Sequence, residues 1–105
     1  MSYRWPNKDP DEILDYSIDW SRFLNTATIS SVDWYVDDAD GVKTIVTNGT
    51  TVYGLQRVSA TNTNTVATIH LGLGTLNREY KLTCRITDNT GSVVERVVKL
   101  RIKEQ

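Results

Sequence analysis

Apolar and polar residues alternate along much of this chain, most clearly near its start. From Leu14 to Trp20 every second side chain is apolar, and Asp15, Ser17 and Asp19 stand between them. A period of two places the apolar side chains on one face of a β-strand and the polar ones on the other. We therefore predict a half-buried strand whose acidic side chains face solvent.

The segment before this strand has a second interpretation. Asp9 as N-cap, Pro10 at the first helical position and Glu12 closing a capping box are typical of a helix start. The residues that follow lack a continuous apolar stripe at helical period. We therefore predict only about one helical turn, from Asp11 to Leu14, before the strand begins.

A second alternating run covers residues 32–36 and ends in the turn-rich sequence DDADG at 37–41. It predicts another strand, with Trp34 pointing into the core. The aspartates of the turn also match the start of a calcium loop, but the later ligands of an EF-hand are missing. Because Asp-Gly is itself a turn signal, we interpret this segment as an acidic turn.

The middle of the chain predicts a hairpin followed by a polar segment. Residues 42–46 and 51–58 flank Asn48-Gly49, the pair favoured in a two-residue type I′ turn, where both central positions need positive φ. The tract SATNTNT at 59–65 is predicted to be a loop or an exposed edge.

The last third gives the clearest pattern, a C-terminal hairpin with the turn DNTG at 88–91. Tyr80 begins its strand after a short loop, where immunoglobulin-type sandwiches place a tyrosine that bonds back to that loop. The residues predicted to face the core are Tyr80, Leu82, Cys84, Ile86, Val94, Val98, Leu100 and Ile102.

Together with a further strand at 66–73, the chain contains about seven short strands separated by turn signals. This pattern predicts an all-β, immunoglobulin-like β-sandwich at residues 13–105. Residues 1–12 are predicted to form an extended N-terminal arm and a turn.

The composition excludes several classes of function. The 105 residues suffice for one domain, and 12 Lys and Arg balance 13 Asp and Glu to a formal charge of -1. Without a basic field, we predict neither nucleic acid nor a membrane as a partner. No apolar run has the length of a membrane span or follows a signal-peptide pattern, so we expect synthesis in the cytoplasm.

Candidate catalytic residues are few, since the chain has one His and one Cys. Cys84 alternates with apolar neighbours and is predicted to be buried, while His70 has no second His or Cys spaced to complete a zinc site. Asp15 and Asp19 lie about 13 Å apart along a strand, too far for the carboxylate pair of a glycosidase. We predict no enzymatic activity, no metal and no cofactor.

Recognition of another protein is the function that the remaining residues favour. Rigid aromatic side chains are common anchors at interfaces. Trp20 alternates with core residues and is interpreted as core, whereas Trp5 precedes a proline in an extended segment. We therefore predict a partner-binding segment formed by Tyr3, Arg4, Trp5 and Pro6.

The N-terminal residues also resemble a known family. The matching elements are Trp5, KDPDE at 8–12, LDY at 14–16, DWS at 19–21 and Leu24. They resemble the opening of a family of small tailed-bacteriophage virion proteins, the fibre–tail adaptor proteins. The likeness continues more loosely into the strand TISSVDW and the C-terminal hairpin, and the chain departs from shorter relatives in its longer polar middle at 42–65.

This resemblance implies a structural component of a virion that joins the tail or tail fibres to the particle through protein–protein contacts. Its partners would be tail, fibre, portal-connector or capsid subunits, with several copies in a symmetric assembly. It also implies that Asp9 or Asp11 accepts backbone N–H bonds in a turn where Pro10 fixes φ. The strand that follows this turn would then contain Asp15, Tyr16, Asp19 and Trp20.

Two other functions stay open. A sandwich of this size also suits a head decoration or cement protein on the capsid. The number of copies per virion distinguishes a position at the tail from one on the capsid shell. A carbohydrate-binding module is the alternative from another class, because three Trp and five Tyr on a β scaffold are rings that could stack on sugars.

Overall fold

The computed structural model describes residues 3–104, with Tyr3 described by its backbone alone, and strands account for most of them. The elements are β1 (Tyr3–Arg4), β2 (Leu14–Asp19), α1 (Ser21–Leu24), β3 (Ile29–Asp37), β4 (Lys43–Val46), β5 (Thr51–Val52), β6 (Leu55–Asn62), β7 (Val66–Leu73), β8 (Glu79–Asp88) and β9 (Val93–Arg101). The predicted all-β class is confirmed.

The strands form two sheets that pack face to face. One sheet has the order β1-β9-β8-β3-β4 and the other the order β2-β7-β6-β5. Every pairing is antiparallel except that of β1, which runs parallel to β9. The predicted β-sandwich is therefore confirmed, whereas its assignment to the immunoglobulin type stays a prediction.

The core lies between the sheets and follows the alternation of the sequence. Trp20 and Trp34 are each 1% exposed, and the inward residues of β8, from Tyr80 to Ile86, are almost fully buried. Tyr80 behaves as the predicted corner tyrosine, because its hydroxyl accepts a bond from the Thr75 N–H at 2.9 Å. The predicted C-terminal hairpin is present, with β8 and β9 paired along their whole lengths.

The predicted hairpin at Asn48-Gly49 is wrong. β4 belongs to the five-stranded sheet and β5 to the four-stranded sheet, so this segment carries the chain from one sheet to the other. Gly49 has a positive φ of 86°, while Asn48 does not. A type I′ turn needs positive φ at both central residues, and the pair at 48–49 meets that condition only at its second position.

A tight hairpin lies a few residues further on. Val52 and Leu55 face each other across Tyr53-Gly54, whose φ values are 54° and 92°. Tyrosine is an unusual residue for this conformation. Contacts hold it there, since its ring lies 6.0 Å from the Tyr80 ring and 3.5 Å from the Arg78 guanidinium.

The polar tract at 59–65 is only partly a loop. β6 continues through Asn62, and the connection to β7 is confined to residues 63–65. Because β5 pairs only with Leu55 and Gln56, the rest of β6 has no strand of the described residues on that side. The exposed-edge alternative therefore describes residues 59–62 of the predicted tract.

The predicted helical turn from Asp11 to Leu14 is wrong. Asp9 Oδ1 accepts the Asp11 N–H, and Glu12 Oε1 accepts the Asp9 N–H, both at 2.9 Å. These are the bonds of a helix start, but Leu14 already pairs with Leu71 in the sheet. The segment is therefore a turn that leads directly into a strand, and the short helix α1 follows β2.

The N-terminal segment packs along the sandwich. The Trp5 N–H donates to the Lys99 carbonyl at 2.9 Å, and the Lys8 N–H donates to the Arg101 carbonyl at 3.0 Å. The division into an arm at 1–12 and a domain at 13–105 stays a prediction, but residues 3–8 extend the five-stranded sheet along β9.

Candidate functional site

Trp5, a member of the predicted partner-binding segment, lies in the core rather than at the surface. Its side chain is 8% exposed and stacks on the Tyr16 ring, with centroids 4.7 Å apart and planes inclined by 20°. The Trp34 ring lies 6.0 Å away. Trp5 is therefore a core residue in this conformation and does not present an exposed anchor to a partner.

The other residues of that segment have different positions. Arg4 and Pro6 are exposed, and Arg4 Nη1 lies 2.7 Å from Glu79 Oε2. The Pro6 carbonyl accepts a bond from the Tyr16 hydroxyl at 3.3 Å. The side chain of Tyr3 lies outside the described part of the chain.

Tyr16 holds its proton over a wide pH range. Burial raises the pKa of Tyr16 to about 12, and the nearby Glu12 carboxylate contributes in the same direction. The phenol hydroxyl is therefore a donor at neutral pH. It connects β2 of one sheet to the segment that follows β1 of the other.

Lys8 has a structural role that the sequence did not reveal. Its side chain is fully buried, and Nζ donates to the carbonyls of Leu73 at 2.7 Å and Asp9 at 2.8 Å. Burial lowers the pKa of Lys8, while the carboxylates of Glu12, Asp9 and Asp11 oppose that effect. The sequence feature that could have indicated this burial is the group of acids next to Lys8, because nearby carboxylates offset the cost of burying an ammonium.

Four acids form the surface that we name the acidic edge: Asp11, Glu12, Asp15 and Asp19. Within residues 3–104, no Lys, Arg or His nitrogen lies within ion-pair distance of these carboxylates. Asp19 Oδ1 accepts the Ser21 N–H at 2.9 Å, and this bond holds the pKa of Asp19 below its usual value. Asp15 stands opposite His70 on the neighbouring strand.

The backbone of β2 is unpaired on its outer side. The Trp20 N–H donates to the Thr65 carbonyl at 2.8 Å, which fixes the phase of bonding between β2 and β7. In an antiparallel ladder bonded and non-bonded pairs alternate, so the N–H and C=O groups of Asp15, Ser17 and Asp19 point away from β7. β2 is the last strand of its sheet, and these groups face no neighbouring strand among residues 3–104.

A cavity of about 250 Å³ lies beside this edge. We name it the β1–β2 groove, and its lining residues are Arg4, Trp5, Ser17, Ile18 and Asp19. It lies where the edge strand of one sheet meets the edge strand of the other. The groove therefore combines apolar side chains from the core with an unpaired strand.

The opposite side of the sandwich has a smaller opening, with a volume of about 140 Å³. It is lined by Val32, Trp34, Arg57, Ala60, Thr61 and Asn62. Arg57 closes one end of it, because Nη1 donates to the Val46 carbonyl at 2.8 Å and Nε donates to Asn48 Oδ1 at 3.0 Å. This arginine joins the two sheets and was also missed from the sequence.

The residues considered for chemistry lie apart from one another. Cys84 is fully buried, and burial raises the pKa of its thiol to about 12. Asp38 Oδ1 accepts the Asp40 and Val42 N–H groups, so the acidic turn bonds to its own backbone. Over residues 3–104, no three His, Cys, Asp or Glu side chains are grouped to hold a metal ion.

Two further observations concern membrane-spanning helices and sugar binding. In the described range, no helix has the length and apolar character needed to cross a membrane. Trp5, Trp20 and Trp34 are all buried, so the tryptophan rings that suggested sugar stacking do not form an aromatic surface.

The fold and these surfaces define a small all-β structural module with unpaired strand edges. Residues 8–101 match the family described as podophage GP4 fiber-tail adaptor protein gp77, and the chain belongs to this family. The matched range runs from Lys8 through the end of β9, leaving out β1 and Trp5. No curated protein matches the chain.

Family membership confirms the resemblance drawn from the N-terminal residues. It identifies a bacteriophage structural protein of the fibre–tail adaptor kind, and thus a virion component that binds other virion proteins. The longer polar middle at 42–65 lies within the matched range.

Proposed function

We propose that this protein is made in the host cytoplasm and joins tail fibres to the tail of a podophage particle through its exposed strand edges. The family supports an adaptor role. The observation that carries the contact mechanism is the unpaired outer side of β2 beside the β1–β2 groove. A neighbouring chain that adds a strand at this edge also protects it from aggregation.

The proposed contact has a physical basis in backbone pairing. Each added backbone hydrogen bond contributes about 0.5–1.5 kcal/mol, so a few bonds at one site give a weak contact. When several copies surround the tail axis, the first contact raises the effective concentration for the others. The whole joint is then much stronger than one site. Several identical subunits in a symmetric ring are therefore part of the proposal.

Exposed residues of the N-terminal segment contribute to the same surface in this proposal. Arg4 lines the β1–β2 groove, and Pro6 is exposed two residues further along the chain. Because Trp5 and Lys8 belong to the body of the protein, deletion of residues 1–8 would damage the fold as well as the contact. Point substitutions at Arg4 are the informative change.

Genetic complementation tests the adaptor role. A phage from which the gene is deleted would be grown with and without the wild-type protein supplied from a plasmid, and the particles imaged by electron microscopy. We expect filled heads and tails without fibres in its absence, and fibres restored by the plasmid. Fibres present on the deletion particles would refute the proposal.

Copy number distinguishes the capsid alternative. Quantitative mass spectrometry of purified virions would compare this protein with the major capsid protein. A few to a few dozen copies per particle match a position at the tail, whereas hundreds of copies match a decoration protein on the shell.

A further inference from the structure

The acidic edge and the β1–β2 groove together define the chemistry of a binding partner. We propose that β2 accepts an extended segment of another virion protein in which apolar residues alternate with Lys or Arg. The inference rests on the proposed adaptor function and names the partner chemistry for its β2 contact.

The backbone requirement comes first. The outward N–H and C=O groups belong to Asp15, Ser17 and Asp19, and an incoming strand pairs with them as a further strand of the four-stranded sheet. The neighbouring edge is less suitable, because β1 has two residues and is followed shortly by Pro6, which has no N–H. β2 is therefore the pairing strand on this side of the sandwich.

The apolar requirement comes from the groove. Side chains of an added strand alternate between the two faces of the sheet, so every second one points between the sheets. There it meets Trp5 and Ile18, which line the cavity of about 250 Å³. Only 8% of Trp5 and 4% of Ile18 are exposed, so a large aliphatic residue at an inward position acts by filling the cavity and covering the small apolar area that remains.

The basic requirement comes from the outer face. The remaining side chains of the added strand lie beside Asp15 and Asp19, whose carboxylates have no cationic partner within residues 3–104. Lys or Arg at these positions is complementary to them. A second copy of this chain would place acid against acid, so the charge pattern disfavours self-association through β2.

Charges on an edge strand have a simpler interpretation, in which they only keep the edge unpaired. The two interpretations differ in what a basic peptide does. If the acids serve only to protect the edge, an alternating basic peptide binds through general charge attraction alone. Contacts with the groove and with the backbone of β2 then add nothing to its affinity.

Fluorescence anisotropy with labelled synthetic peptides tests the inference on the full-length protein. The probe is a peptide that alternates valine with lysine, and the controls are a peptide of the same composition with lysines in one block and a peptide that alternates valine with glutamate. We expect saturable binding of the alternating basic peptide alone. Equal binding of the blocked peptide would overturn the inference, since it would show attraction without strand pairing.

Two protein variants separate the charge from the backbone. Asp15→Asn with Asp19→Asn keeps side-chain acceptors and removes charge, and we expect a loss of about tenfold in affinity at low salt. Ser17→Pro removes one outward N–H at an edge position that tolerates proline, and we expect binding to be lost. Ser17→Ala is its control, because it removes only the hydroxyl that contacts Thr68 Oγ1.

Circular dichroism would establish that each variant is folded before binding is measured. Unchanged affinity in folded Ser17→Pro would overturn the inference, and so would dimerisation of the wild-type protein through β2 in sedimentation experiments. The same variants in the complementation experiment separate the two proposals. Normal fibres with the folded Ser17→Pro protein would refute the β2 contact. If fibres are still absent without the wild-type protein, the adaptor role stands even though this contact does not.

Discussion

The indole of Trp5 stacks on the phenol of Tyr16, at a centroid distance of 4.7 Å, and thereby joins the two sheets at their open side. Trp5 follows β1 of the five-stranded sheet, and Tyr16 lies in β2 of the other. The N-terminal segment thus contributes to the core, and its loss would lower the stability of the whole domain.

Replacement of the buried indole should destabilise the protein strongly. For Trp5→Ala we expect a loss of about 3–5 kcal/mol in the free energy of unfolding, because a large side chain leaves a cavity against Tyr16 and Trp34. Urea denaturation followed by fluorescence measures it. The control Arg4→Ala changes an exposed neighbour and should cost less than about 1 kcal/mol. Equal costs for the two variants would mean that the indole is not packed as described.

The hydroxyl of Tyr80 supports the loop before β8 and the hairpin before β6. It accepts the Thr75 N–H at 2.9 Å and donates to the Tyr53 carbonyl at 2.7 Å. Tyr80→Phe should therefore cost about 1–3 kcal/mol, since the Thr75 N–H loses this acceptor and the Tyr53 carbonyl keeps only its bond from Arg78. Thermal unfolding of the matched variant Tyr53→Phe supplies the control. Removal of that partly exposed hydroxyl should change stability by less than about 0.5 kcal/mol.

The thiol of Cys84 should report on unfolding. Full burial and a pKa raised to about 12 keep it protonated and inaccessible, so a disulfide reagent should react slowly with the native protein and rapidly in denaturant. Absorbance of the released thiolate follows the reaction. In a Val93→Cys variant, the added thiol stands at a position that is 59% exposed and should react at once. Native Cys84 reacting at that rate would contradict its burial.

Acid should weaken the C-terminal hairpin through Asp88. The Thr90 hydroxyl, with the N–H groups of Ser92 and Thr90, holds the pKa of this carboxyl below its usual value of 3.8. The unfolded chain therefore binds a proton at a higher pH than the folded one. The stabilisation is complete above the unfolded pKa and is lost as pH falls through the lower folded pKa.

Unfolding measured from neutral pH to about pH 2 in the wild type and Asp88→Asn tests this sign. The variant should be less stable at neutral pH and should lose less stability on acidification. Asp40→Asn, in an exposed turn, serves as the control and should follow the wild-type curve. If Asp88→Asn loses as much stability on acidification as the wild type, the pH dependence arises from other carboxyls.

Local pattern predicted the parts of this fold that depend on neighbouring residues. The strands around Trp34 and Tyr80 followed from period-two alternation, and the tyrosine corner followed from its place after a short loop. The hairpin at Asn48-Gly49 failed because turn preference does not show which sheet each flanking strand joins. Tyr53-Gly54 forms the tight turn through contacts with Tyr80 and Arg78 that are distant in sequence.

The candidate site was harder to predict. The acids of β2 were identified with the correct face, but the burial of Trp5 depends on parallel pairing between Tyr3 and Val98, which no local pattern encodes. The same pairing creates one wall of the groove. The burial of Lys8 was not predicted, because its bond to Leu73 joins residues that are far apart in sequence.

The parallel pairing of the first and last strands has a mechanical consequence. Tension applied between the two ends of the chain runs along β1 and β9, so it loads the bonds at Trp5 and Lys8 in shear, all at the same time. A hairpin pulled from its open end would instead release its bonds one after another. In the function proposed above, this strand arrangement would resist pulling forces that act along the joint between fibre and tail.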